Sequence, residues 1–350
     1  MGEEPLLLGV LYAALGAFTF ALNNVAMRRG VVTGSVLQGM AITVPIGGLS
    51  FLVMTVAFGE LRQLVVFPAV ALAWLAGQGM VHFVFGRYCN YKSNQLMGVN
   101  LAAPVVQLQV PFAMVLAVAM LHEKFTTLQV IGSVLMLGGS FVTQTKTGRS
   151  IKKRSATPIR TVTAQQEQDV PRPGFRPRVF QGYVFALGAA MCYGSSPLMA
   201  RQAFLNAPDA GTAAAGCLAY AAATLLFSLI LLKPGSWDDI RSRSMSSENV
   251  PWFLSSAVLV AISQAFVYAS LAVAPLMVVT PILQLSLVFR LFLSQCINRD
   301  YEVMNTAVLV GALTAVLGSI LVSLDTDLLV KLLHLPPSLS DFLRHRLAGG

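Results

Sequence analysis

Asn100, Pro104, Gln107 and Pro111 follow one another at steps of four, three and four, which at 3.6 residues per turn sets them on one face of a helix. A proline has no N–H to give, so a carbonyl one turn earlier is freed. Side-chain amides beside a loosened backbone can bind a polar solute, which makes Asn100 and Gln107 candidate ligand residues. Pro281 and Gln284 repeat the pattern later in the chain. The same residues also fit a plainer role, hydrogen bonding between helices around a structural kink. Pro104, Pro111 and Pro281 shape such a site rather than touch a solute.

A second polar ridge runs through Gln78, His82, Gly86 and Asn90 at steps of four, with Arg87 and Tyr91 alongside. Polar groups in hydrocarbon are expensive and usually face a bundle interior or a water-filled cavity. Arg87 is therefore either a substrate anchor or a side chain snorkelling to the interface. His82 is either a proton carrier or an inert hydrogen-bonded histidine. Asn23 shares a face with Gly16 and Thr19, and Ser196 follows Tyr193 in a matching position, each with helix-to-helix hydrogen bonding as the alternative. Arg290, across its helix from Pro281 and Gln284, reads as a snorkelling or helix-pairing residue.

These residues belong to a duplication. The run YKSNQLMGVNLAAPVVQ, from Tyr91 to Gln107, aligns without a gap on YASLAVAPLMVVTPILQ, from Tyr268 to Gln284. The second copy puts Ser255, Leu259, Ser263, Gln264, Val267 and Tyr268 where the first has its more polar ridge, so Gln264 and Tyr268 join the candidates. An asymmetric lining suits an asymmetric solute.

Other chemistries lack their residues. All 15 acidic residues fall at helix ends, loops or tails, which disfavours a proton-coupled exporter of cationic drugs because that reaction needs a buried acid. The 4 cysteines lie in apolar stretches without a C-x-x-C pair, and the histidines show no ligand spacing, so no metal or cofactor is expected. No convergent nucleophile or acid pair suggests an enzyme. Arg28, Arg29, Arg87 and Lys92 fall toward one side of the first copy, where a basic vestibule would favour anionic or zwitterionic solutes.

The elements that must position these groups are membrane helices. Hydrophobic residues are 55% of the 350 and charged residues 11%, against roughly 25% charged in soluble domains. Mean hydropathy is +0.69. Ten apolar stretches approach the length of about 20 residues needed to span a bilayer, near 6–27, 36–58, 69–91, 95–120, 127–144, 181–203, 211–232, 251–272, 276–296 and 305–324. The expected architecture is an all-α membrane protein of ten transmembrane helices, with one five-helix repeat over 6–144 and another over 181–324. An odd number of crossings per repeat inverts the second copy, the design of transporters that bind solute at the midplane. Gly132 and Gly139, like Gly311 and Gly318, are seven apart and allow close helix packing, while Thr126 and Gln129 suit a capping box.

Between the repeats, 145–180 is a basic, polar linker holding most of the cationic excess, and 325–350 reads as an amphipathic C-terminal tail. A basic strip beside a membrane attracts anionic lipid headgroups, and without interleaved aromatics it is no sign of nucleic acid. Counting cations on the two sides puts the linker in the cytoplasm and both termini outside. The partners expected are the bilayer and a small-molecule solute.

In each half a helix carrying Y-x-S leads to a P-x-x-Q helix, then to an acidic residue nine before a glycine, Glu123 to Gly132 and Glu302 to Gly311. This order resembles the EamA repeat of the drug/metabolite transporter superfamily over 9–144 and 181–324. The resemblance implies a ten-helix alternating-access exporter of amino acids, organic acids, other metabolites or drugs in a bacterial inner membrane. It also implies cytoplasmic termini, opposite to the charge count, so orientation stays open. An uncoupled facilitator and a non-transporting scaffold or sensor are the competing readings.

Overall fold

A computed structural model describes residues 3–121, 125–155, 177–233, 240, 248–273, 282–283, 285–302, 304–323, 326, 330, 336–344 and 346–347. Among these the chain is helical apart from a two-residue antiparallel ladder between Phe125–Thr126 and Arg346–Leu347. The first part comprises α1 (Glu3–Thr33), α2 (Val36–Ala57), α3 (Ala69–Gly79), α4 (Arg87–Met97), α5 (Val99–Val106), α6 (Gln109–Leu121) and α7 (Thr127–Ser155). The second comprises α8 (Val179–Leu205), α9 (Thr212–Leu231), α10 (Val250–Val273), α11 (Ser286–Ile297), α12 (Thr306–Ser323) and the short α13 (Pro337–Arg344).

Among the described residues, five helical stretches, Leu7–Thr33, Val36–Ala57, Ala69–Met97, Thr212–Leu231 and Val250–Val267, are long and apolar enough to cross a bilayer. Shorter apolar helices occupy Val99–Ala113, Thr127–Gly139, Ser286–Ile297 and Thr306–Val322. The chain is a multi-pass membrane protein. Its helices are ordered by residue size: in α1 the small Ala13, Ala17 and Ala21 are buried, while Leu7, Leu11, Leu15 and Phe18 are exposed. Lipid is as apolar as leucine, so helices gain by close backbone approach and direct their large side chains outward.

The main helix pairs join the two parts of the chain. α1 packs on α10, α2 on α9, the α3–α4 stretch on α8, and α7 on α12. At the α7–α12 crossing a methyl group placed on Gly132 would come 2.6 Å from the Gly318 carbonyl, and one placed on Gly139 would run into the Gly311 carbonyl. The spacing of these glycines serves the packing expected of it. The Thr126–Gln129 capping box also forms, with the Thr126 N–H donating to Gln129 Oε1 at 3.0 Å.

Three helices depart from regularity. Between α3 and α4 the backbone runs through a π-helical segment, Met80–Gly86, without losing the helix. The P-x-x-Q helix divides into α5 and α6 between its two prolines, where the Leu108 N–H donates to Val105 and the Val110 N–H to Gln107, both in the tighter three-residue register. Pro111 cannot supply the four-residue bond to Gln107, which is the physical reason for the break. Gly98, at φ +86°, turns the chain from α4 into α5.

That turn is fastened by a buried ion pair. Arg28 Nε lies 3.1 Å from Glu302 Oε1, with the two side chains 1% and 0% exposed. The other guanidinium nitrogens donate to the carbonyls of Asn94, Gln95 and Tyr301 at 2.6, 3.1 and 2.6 Å. Glu302 accepts from the backbone N–H groups of Val99 and Asn100 at 2.8 and 3.0 Å, capping α5. Burial raises the Glu302 carboxyl above its ordinary range, while Arg28 and the two amides act in the opposite sense. The sequence reading of a loop acid is right about the element, but this acid is interior.

Two boundaries differ from expectation. α7 continues to Ser155, past 144, because Lys and Arg tolerate a helix and suit its C-terminal end. α8 begins at Val179. In the tail, α13 buries Ser340 and Leu343 and exposes Leu339 and Phe342. Glu123, Pro281 and Gln284 lie outside the described residues, and of Tyr268 only the backbone, within α10, is described.

Overpacking the α7–α12 crossing should destabilise the fold by about 1–3 kcal/mol, so Gly318→Val is expected to lower the melting temperature in detergent. Gly138→Val, at a position facing open space, is the control and should leave it unchanged. Glu302→Gln strands the Arg28 charge and should cost about 3–5 kcal/mol. A double-mutant cycle with Arg28→Met measured by denaturant unfolding should show strong coupling between the two sites.

Candidate solute site

Two of the irregular segments, the π-helical one and the α5–α6 break, meet at a cavity of about 160 Å³ between the two parts of the chain. Its walls are built from Phe20, Asn23 and Asn24 of α1, His82 and Phe83 of the π-helical segment, and Arg87, Asn90 and Tyr91 of α4. Val106, Gln107 and Gln109 come from the α5–α6 break, Tyr193 from α8, Tyr220 from α9, Val260 and Gln264 from α10, and Arg290 from α11. No carboxylate is among these lining residues.

Arg87 is 6% exposed. Its Nη1 donates to the Thr43 carbonyl at 3.1 Å and its Nη2 to the Tyr220 hydroxyl at 2.8 Å. The guanidinium carbon sits 5.4 Å from the Phe83 ring centre and 5.6 Å from that of Tyr220. All three partners, Thr43, Tyr220 and Phe83, are neutral, so the charge is held in place without being cancelled. This geometry removes the snorkelling alternative: the side chain turns inward to α2 and α9. Tyr91 donates to Thr43 Oγ1 at 3.2 Å, tying α4 to α2 beside the guanidinium.

His82 is enclosed by rings, 4.6 Å from Tyr193 and 4.8 Å from Phe83 between centres, and its Nδ1 is buried without a hydrogen-bond partner among the described residues. The π-helical segment accounts for this placement, because the extra residue in each turn swings His82 and Phe83 toward the cavity. Asn23 both lines the cavity and accepts a 2.6 Å hydrogen bond from the Ser256 hydroxyl, so its two alternative roles coexist. The Gln109 amide donates to Gln107 Oε1 at 3.0 Å across the helix break. Asn90 and Gln264 make no side-chain hydrogen bond within the described residues and line the same cavity.

Of the residues singled out in the sequence, Asn23, His82, Arg87, Asn90, Tyr91, Gln107, Tyr193 and Gln264 thus converge. Asn100 does not. It is fully buried at the first turn of α5, accepting from the Ser294 hydroxyl at 2.6 Å, which is the helix-pairing role. Ser196 is also away from the cavity, with the Gln78 amide 3.5 Å from its hydroxyl. The expected basic vestibule is dispersed as well. Arg28 is taken by Glu302, Arg29 lies 4.6 Å over the Tyr301 ring, and Lys92 donates to Gln95 at 3.0 Å.

Sequence reasoning missed Asn24, Gln109, Tyr220 and Arg290. Asn24 and Gln109 adjoin recognised residues, and a cleaner signal existed for Arg290, since an ionisable residue inside a membrane span is a functional candidate by default.

One solved structure, a crystal structure of a protein, is similar with a TM-score of 0.52 at 17% identity, covering 89% of this chain and 94% of its own. At that identity the likeness concerns the fold alone. No curated protein matches the chain. Residues 7–145 match the model of the EamA-like transporter family, of the drug/metabolite transporter superfamily.

Proposed function

We propose that this protein is an alternating-access transporter of a small polar solute with an anionic group, of the amino acid or organic acid class, bound in the cavity between the two halves. The observation that carries this reading is Arg87, buried at the cavity wall with neutral partners and no carboxylate among the described lining residues. A charge left uncancelled in a low-dielectric interior costs several kcal/mol, and an anionic solute supplies the missing partner. Size argues for a metabolite over a drug, because about 160 Å³ falls below the roughly 300–1,000 Å³ of drug-sized pockets.

Architecture supports the same reading. Ten spans in two inverted five-helix repeats account for the pairing of each N-terminal helix with one from the C-terminal part, and for the reciprocal contact of Gly132 with Gly318 and Gly139 with Gly311. In that arrangement 145–180 is the link between repeats and 325–350 the tail. A broken helix beside a cavity is a usual feature of solute sites in such repeats. Rocking one half against the other would open the cavity to each side in turn. Export is the direction implied by the resemblance to the superfamily.

The test is counterflow into proteoliposomes preloaded with a labelled pool of amino and organic acids. Saturable exchange is expected. Arg87→Gln should reduce acidic-solute flux by about tenfold to a hundredfold, the equivalent of roughly 1.5–3 kcal/mol for a hydrogen bond to a charged group, and neutral-solute flux much less. Equal loss for both would remove the charge argument, and an absence of flux with any solute would favour a scaffold.

A further inference from the structure

Arg290 extends that reading, on which the following rests. It is 6% exposed and reaches the cavity from α11, in the part of the chain opposite Arg87. Its guanidinium carbon lies 5.8 Å from the Phe20 ring centre, and its Nε is buried without a hydrogen-bond partner among the described residues. The contrast with Arg28 is informative. Arg28 is equally interior, yet a carboxylate and three backbone carbonyls use its guanidinium. Arg290 forms no ion pair and no hydrogen bond among the described residues.

We propose that the site takes a solute carrying two negative charges, held by Arg87 from one half of the protein and Arg290 from the other. Two positive charges line one small cavity whose other polar groups, His82 and the amides of Asn90, Gln107 and Gln264 among them, carry no negative charge. A monoanion leaves one guanidinium uncompensated in a poorly solvated interior, whereas a dianion neutralises both. The amides of Asn90 and Gln264, which make no side-chain hydrogen bond among the described residues, then serve the solute's uncharged oxygens. The two charges are carried either on a pair of carboxylates or on one phosphoryl group.

The experiment measures binding to purified full-length protein in detergent at constant ionic strength, using succinate, its monoamide succinamate, inorganic phosphate and acetate. Succinate or phosphate should bind at least about tenfold more tightly than succinamate and acetate, and which of the two does so identifies the carrier of the charge. Arg290→Gln should lower dianion affinity to the succinamate level while leaving succinamate binding nearly unchanged. Arg290→Lys should retain part of the preference. Equal binding of succinate, phosphate and succinamate by the unsubstituted protein overturns the proposal, and this comparison stands even where a variant does not fold. A dianion preference that survives Arg290→Gln overturns it too. Monoanion binding lost in Arg87→Gln without any dianion preference would retain the solute site and remove only the second charge. No binding of any acid would remove both.

Discussion

Hydrocarbon offers no hydrogen bonds to a backbone, and most of this structure follows from that constraint. Each departure from a regular helix must find its partners inside the protein. The turn at Gly98 exposes the first N–H groups of α5, and Glu302 accepts from two of them. The carboxylate in turn needs a counter-charge, which Arg28 supplies from α1 while holding the carbonyls of Asn94 and Gln95 that end α4. One node thus joins α1, α4, α5 and the segment before α12. The break between α5 and α6 and the π-helical segment fall instead at the cavity, where irregular backbone is tolerated because it is enclosed by other helices.

The buried arginines separate structure from binding by the company they keep. Arg28 has an acid and a full set of carbonyls. Arg87 has neutral oxygens and ring faces that fix its direction. Arg290 has one ring and an unused donor. A guanidinium satisfied by its own protein has little affinity left for a solute, so the completeness of its shell predicts its role better than its depth does.

Much of this was legible in the residues. Helical spacing brought His82, Asn90 and Gln107 onto inward faces, and the duplication pointed to Gln264 through Arg87 and to Tyr193 beside its matching serine. The apolar stretches, the glycine pairs and the capping box at Thr126 are local patterns, and local patterns can be read along a chain. What could not be read depends on contacts between distant segments or on a choice of hydrogen-bond register. Asn100 has the type and spacing of a ligand residue, but Ser294, 194 positions away, occupies it. Arg28 and Glu302 are 274 positions apart, and nothing near either one announces the other. The π-helical register over Met80–Gly86 is such a choice, and the regular helical spacing that brought out His82 does not announce it. Arg290 was placed by its angle around one helix, whereas Phe20 of α1 meets its guanidinium from another.

The incomplete shells around Arg87, Arg290 and His82 also say what fills the cavity when no solute is there. Guanidinium groups facing an evacuated space in a low-dielectric interior are not tolerated, and a polar space of about 160 Å³ exceeds the roughly 30 Å³ share of one water several times over. A polar space of this size is one that water enters before a solute arrives. Selectivity then becomes a contest with hydration: a solute is accepted when its oxygens reproduce the positions of the molecules it expels, and a shape that displaces them without replacing their contacts is refused although it fits.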